Sequence, residues 1–111
     1  MNTYFKDWNE FNAEGATVPF YKKDSFIGFD SSSCTPPGPM VNATVALNFI
    51  KDKNTKVIMI NHKFPAGLIP KIEQDYNYEK EELENGFVKI IFSLKDGKTP
   101  KTLDTNQICK G

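Results

Sequence analysis

The stretch that decides the fold is KVIMIN at positions 56–61. Four consecutive apolar residues without alternation indicate a strand that is buried on both faces, as central strands with covered faces are. Such a strand is reached through a crossover connection. We therefore expect a helix before it and, before that helix, a strand that runs parallel to it with a right-handed connection.

The residues that precede this central strand fit the expectation. SFIGFD at positions 25–30 is β-prone with a glycine at its middle and predicts the first strand. A loop of serines and prolines follows, and Pro39 suits the first turn of a helix, where a missing N–H costs nothing. Apolar residues then recur at positions suited to packing on a sheet, so we predict a helix from Met40 to about Lys51.

The residues after the central strand predict a second helix and a hairpin. Pro70 fits the first turn of a short helix that ends at about Asp75. Asn85-Gly86 is a strong hairpin signal, so the Glu-rich residues 79–84 become a charged edge strand paired with 87–95. The predicted fold is an α/β (α+β) two-layer sandwich, β-α-β-α-β-β, with two helices on one face of a mixed four-stranded sheet.

We divide the chain into an N-terminal extension at 1–24, a domain at 25–95 and a C-terminal tail at 96–111. Tyr4, Trp8 and Phe11 recur at helical spacing in the extension, which is compatible with a short amphipathic helix that covers one edge or face of the domain.

Composition narrows the classes of function. The 111 residues carry 14 acidic and 14 basic side chains, and every basic residue is lysine. Nucleic-acid binding relies on arginine side chains that contact phosphate through two N–H groups and on basic surface patches, so we expect no nucleic-acid partner.

No apolar run approaches the ~20 residues of a membrane span, and the N-terminus lacks a signal-peptide pattern, so we expect no membrane association and a cytoplasmic location. Cys34 and Cys109 are then expected to be free thiols. One histidine and two separated cysteines predict no metal site and no cofactor.

The motif CTPPGPM at positions 34–40 joins the first strand to the first helix. With the β-α-β-α-β-β order, it resembles the TusA/SirA-like sulfur-carrier family, whose signature is a strand acid, a loop and Cys-Pro-x-Pro at the start of the first helix. Pairing Pro37-Gly38-Pro39 with Pro-x-Pro places Asp30 on the strand acid and Pro36 on the carrier cysteine, with Cys34 two residues earlier. The chain is thus more similar to related bacterial domains in which proline takes the cysteine position. Those domains often carry an Asn/His segment after the second strand, which Asn61-His62 resembles.

The resemblance implies a non-catalytic domain that binds a protein partner or a small ligand near the proline motif. His62 adds to that surface because it follows the central strand, and ligands bind at the carboxyl ends of parallel strands. The predicted binding residues are Thr35, Pro36, Pro37, Pro39 and His62.

Two alternatives concern the cysteines. In the first, Cys34 is a nucleophile activated by the following helix and carries a persulfide, with a cysteine desulfurase or a sulfur-relay protein as partner. In the second, Cys34 and Cys109 form a redox-sensing pair.

Overall fold

The computed structural model describes residues 3–98, which form one mixed sheet with two short helices. The strands are β1 (Asn9–Phe11), β2 (Phe20–Lys23), β3 (Phe26–Asp30), β4 (Lys56–Asn61), β5 (Tyr76–Glu82) and β6 (Val88–Leu94), and the helices are α1 (Gly38–Leu47) and α2 (Ile69–Ile72). In the sheet the strands lie in the order β1-β2-β3-β4-β6-β5. The prediction of a four-stranded sheet is wrong, because the sheet of the described residues has six strands.

The two additional strands come from the N-terminal part of the chain. β1 pairs antiparallel with β2, and β2 pairs antiparallel with β3. A two-residue turn at positions 24–25 joins β2 to β3, and Asp24 takes a positive φ of 54° there. The helix suggested by the spacing of the early aromatic residues is absent: a 3-10 turn at Thr3–Phe5 is followed by β1. The aromatic rings pack on the sheet instead of forming a stripe along a helix.

The predicted order of elements is present from β3 onwards. β3 and β4 are parallel neighbours, and residues 57–61 of β4 are buried, as their apolar run predicts. β5 and β6 form the predicted antiparallel hairpin, in which Gly86 takes the left-handed φ of 86°. Only Tyr76 of β5 is buried, so this strand is the exposed, charged edge expected from its composition.

Both helices are shorter than predicted. α1 ends at Leu47, four residues before the expected end, because the chain tightens into i to i−3 hydrogen bonds: the N–H of Phe49 donates to Ala46 O and that of Ile50 to Leu47 O. α2 has a single turn.

The sheet has two different faces. The main core lies on the face covered by α1 and α2, where Ala46, Leu47 and Ile72 pack with Val57 and Met59. A smaller core lies on the opposite face and contains Phe5, Tyr21, Ile58 and Ile60. No helix in residues 3–98 combines the length and apolarity needed to cross a membrane.

Candidate functional site

The candidate site lies where the parallel strands β3 and β4 end. Asp30, the last residue of β3, is opposite Ile60 of β4, so the loops that follow the two strands leave the sheet side by side. Ligands in open α/β sheets bind beyond such carboxyl ends. The predicted proline motif lies in one of these loops and His62 in the other.

Buried hydrogen bonds hold the two loops together. The N–H of Ser31 donates to Ile60 O at 2.8 Å, and its hydroxyl lies 3.1 Å from the same oxygen and 3.0 Å from Asn61 Oδ1. The Asn61 amide then donates to Lys63 O at 3.0 Å. Ser31 and Asn61 are both buried, so these contacts form away from solvent and fix the spacing of the loops.

The proline motif forms a compact corner before α1. The N–H of Cys34 donates to Ser31 O at 3.0 Å, and the N–H of Gly38 donates to Thr35 O at 2.8 Å. These bonds close two successive turns, and the Pro36–Pro37 peptide bond in the second turn is cis. The chain enters α1 directly from this corner.

The two loops enclose a cleft of about 490 Å³. One wall is the proline corner with Met40, and the other is the loop after β4. Its lining residues are Pro36, Pro37, Pro39, Met40, Asn61, His62, Lys63, Phe64, Pro65, Ala66, Gly67 and Leu68. Most of these side chains are apolar, and none carries a carboxylate. We call this space the proline cleft.

Four of the predicted site residues line the proline cleft, namely Pro36, Pro37, Pro39 and His62. Cys34 and Thr35 are not among the lining residues. Cys34 is half-buried, and its Sγ lies 3.9 Å from the amide nitrogen of Asn42. Cys34 also packs closely on Gly38, the first residue of α1. A β-carbon added at Gly38 would lie 3.0 Å from the β-carbon of Cys34. Cys109, the other half of the predicted redox pair, lies outside the described residues.

Asn42 is a buried amide that supports the corner from behind. Its Oδ1 accepts the N–H of Thr17 at 2.8 Å, and its Nδ2 donates to Thr17 Oγ1 at 2.8 Å and to Gly38 O at 3.0 Å. The side chain is fully buried. Asn42 therefore ties the loop before β2 to the first turn of α1.

The start of α1 offers few hydrogen-bond donors. Pro37 is its N-cap and Pro39 lies in its first turn, so neither has an N–H. The N–H of Gly38 is already bonded to Thr35. Met40 is the remaining first-turn residue with an N–H for a ligand. A helix start binds phosphate through several free N–H groups, so this one is poorly equipped for that role.

His62 has an unusual environment. Its side chain is half-buried, and its Nδ1 is buried with no hydrogen-bond partner in the described part of the chain. A buried N–H without an acceptor is rare and costly. The tautomer with its proton on Nε2 is therefore favoured, which makes Nε2–H the donor that His62 can offer to a ligand.

Sequence reasoning missed the apolar wall formed by Met40, Phe64 and Leu68. Phe64 also contacts Tyr78 of β5, with ring centroids 5.7 Å apart, and the Nζ of Lys80 lies 5.3 Å from the Phe64 ring centroid. The available signal was a phenylalanine three residues after the end of β4, in a loop where polar residues are usual.

Other parts of the described chain offer less. A cleft of about 410 Å³ next to β5 is lined mainly by polar and charged side chains, among them Glu73, Gln74, Asn77 and Lys95. No group of three or more histidine, cysteine, aspartate or glutamate side chains in residues 3–98 is arranged to hold a metal ion.

Comparison with known proteins adds no relative. No family model matches the chain, and neither a curated protein nor a solved structure matches it. The resemblance to the TusA/SirA-like family therefore stays a prediction drawn from the motif and the order of elements.

Proposed function

We propose that this protein is a non-catalytic binding domain of the TusA/SirA-like type, with proline in place of the carrier cysteine, and that a small ligand occupies the proline cleft. The observation that carries the proposal is the cleft itself. Its volume of about 490 Å³ falls in the range of small-molecule sites, roughly 300–1,000 Å³, which are concave and mostly apolar.

The cleft is also held in shape before any ligand arrives. Ser31 and Asn61 connect its two walls through buried hydrogen bonds, and Asn42 fixes the first turn of α1. A preformed site loses less conformational entropy on binding than a flexible one. This favours a small ligand over a partner segment that would need the loops to open.

Protein-observed NMR with a library of small apolar fragments tests the proposal. We expect the fragments that bind to shift the Met40 methyl signal and the amide signals of residues 62–64 and 66–68. Met40→Gln should weaken binding about tenfold, because it removes apolar contact area from the cleft. Val41→Gln is the matched control, since Val41 is half-buried on the same helix but does not line the cleft.

Three results would count against the proposal. Fragments that shift only residues away from the cleft would place the binding site elsewhere. Equal losses of affinity in Met40→Gln and Val41→Gln would show that the effect comes from a general change in α1. Binding of a folded protein partner at the same signals, with no fragment bound, would replace the small ligand with a macromolecular one.

The second candidate function is sulfur carriage by Cys34. Its supporting observation is that the thiol is partly accessible and lies in the corner that leads into α1. In this reaction the Cys34 thiolate attacks the outer sulfur of a persulfide on a cysteine desulfurase. The desulfurase thiolate leaves, and the sulfur remains on Cys34.

Intact mass after incubation with a cysteine desulfurase and cysteine separates the two functions. The experiment is done in a Cys109→Ser background, so that Cys34 is the one thiol present. A mass gain of one sulfur atom that disappears in Cys34→Ser would establish a carrier and refute the non-catalytic function. An unchanged mass with a normal thiol titration would refute the carrier.

A further inference from the structure

We infer that the ligand of the proline cleft is a monoanion with an apolar body, of the aryl or alkyl monocarboxylate class. The inference rests on the proposed function and adds the chemical class of the ligand.

The one permanent charge among the residues that line the cleft is positive. Lys63, which is exposed, is the one lining residue with a permanent charge, and no lining residue carries a carboxylate. Lys80 is close by through its contact with Phe64, but its Nζ lies 3.6 Å from Glu82, which already balances its charge. An anionic group on the ligand would therefore find a cation at Lys63 and no repelling carboxylate in the cleft wall.

His62 supplies a directional contact of the same kind. With Nδ1 buried and unpartnered, Nε2 is the ring nitrogen left to donate a hydrogen bond. A carboxylate accepts such a bond more strongly than a neutral oxygen does. His62 and Lys63 are adjacent in the chain, and both line the cleft from the loop after β4.

The apolar wall and the first turn of α1 decide which anion fits. Phosphate groups are usually held by several backbone N–H groups, and Pro37 and Pro39 remove two of these from the start of α1. Met40 and Phe64, both half-buried, instead offer apolar area to the rest of the ligand, and the buried Leu68 lies behind them. This combination suits a single charge on a hydrocarbon body and disfavours a phosphate ester.

The test uses three probes with one skeleton, 4-phenylbutyrate, 4-phenylbutanol and 4-phenylbutylamine, which carry a negative charge, no charge and a positive charge. Dissociation constants come from NMR titrations followed at Met40. We expect the carboxylate to bind about tenfold more tightly than the alcohol, which is the usual gain of a charge-assisted hydrogen bond. The amine should bind more weakly than the alcohol. Inorganic phosphate should not displace the carboxylate.

Variants assign the preference to residues. Lys63→Gln should reduce carboxylate affinity about threefold to tenfold and leave alcohol affinity unchanged. Lys53→Gln is the matched control, because Lys53 is exposed, pairs with Asp96 and does not line the cleft. His62→Leu should also remove part of the carboxylate preference, and His62→Gln should restore some of it by supplying an N–H donor.

The outcomes separate this inference from the proposed function. If the alcohol binds at Met40 as tightly as the carboxylate, or if phosphate displaces the carboxylate, the ligand class is wrong and the binding function stands. If Lys63→Gln and Lys53→Gln have equal effects, the charge preference does not come from the cleft, which also overturns the class. If none of the three probes shifts Met40, both the class and the proposed function fail.

Discussion

The substitution Gly28→Ala should destabilise the protein when Phe5 is present and should be neutral or stabilising when Phe5 is replaced by alanine. Gly28 lies in the middle of β3, beneath the ring of Phe5 on the sheet face away from the helices. A β-carbon added at Gly28 would lie 2.8 Å from Cζ and 2.9 Å from Cδ1 of that ring, and closer still to Cε1. Carbon atoms in contact are normally about 3.5–4.0 Å apart, so the ring would have to withdraw by more than ~1 Å.

The ring has little room to withdraw. Phe5 is 1% exposed, it stacks on Tyr21 with ring centroids 5.0 Å apart, and it makes an edge contact with Trp8 at the same distance. Forcing an added carbon into a packed core costs about 1–3 kcal/mol. The loss of glycine flexibility in the unfolded chain offsets about 0.4–1 kcal/mol of this. Gly28→Ala should therefore lower the free energy of unfolding by about 1–2 kcal/mol.

The sign changes once the ring is absent. Phe5→Ala alone should cost about 3–4 kcal/mol, since it leaves a cavity on this face of the sheet. In that background, the methyl group of Gly28→Ala enters the empty space, and only the effect on the unfolded chain remains. We expect the second substitution to be neutral or to stabilise by up to about 1 kcal/mol.

Urea unfolding followed by far-UV circular dichroism measures all four members of this double-mutant cycle. Gly67→Ala is the matched control, because a β-carbon there would have no neighbour within 4 Å. It should be neutral or slightly stabilising in both backgrounds. If Gly28→Ala destabilises equally with and without Phe5, the close approach of the ring is not the reason for glycine at this position.

Four further predictions concern three single positions, and each is measured by urea unfolding. Asn42→Ala should cost about 2–3 kcal/mol, because the partners of its amide are left unpaired in the interior; a loss below about 0.5 kcal/mol would contradict this. Tyr76→Phe should stabilise by about 1 kcal/mol, because the buried hydroxyl has no partner within residues 3–98. Burial, and then the charge of Asp75, raises the pKa of Tyr76 in the folded protein, so the unfolded chain releases this proton more readily. The ionisation therefore leaves the free energy of unfolding unchanged below about pH 10 and lowers it as the pH rises further, and Tyr76→Phe should lose less stability in that range than Tyr78→Phe, the exposed control. Gly86→Ala should cost about 1–2 kcal/mol because alanine is strained at a φ of 86°, and a neutral result would show that the turn can rearrange.

The central part of the fold could be predicted from local patterns. Residues 56–61 form a strand with the predicted bounds, because an uninterrupted apolar run has few ways to be buried other than at the middle of a sheet. The hairpin at Asn85-Gly86 was equally predictable, since its turn needs a residue that tolerates a positive φ. In both cases the physical cause lies within a few neighbouring residues.

The N-terminal strands could not be predicted in the same way. Tyr4, Trp8 and Phe11 have helical spacing, yet Trp8 and Phe11 contact rings from four different parts of the molecule. Trp8 packs on Phe5 and Phe26, and Phe11 packs on Phe20 and Phe49. The turn between β2 and β3 uses aspartate rather than glycine for its positive φ, so its hairpin signal is weak. Tertiary packing overrode a local preference here, as it often does for short segments.

The sequence by itself determined the order β-α-β-α-β-β from β3 onwards, the central position of β4 and the charged edge at β5. It also identified four residues of the cleft, because prolines before a helix and a histidine after a parallel strand have consequences that follow from local geometry. Only the tertiary structure decided that Phe64 and Leu68 face the proline corner and that Cys34 packs beside Asn42 instead of lining the cleft. It also decided that residues 9–23 extend the sheet to six strands. These features depend on contacts between distant parts of the chain, which no local pattern in the sequence encodes.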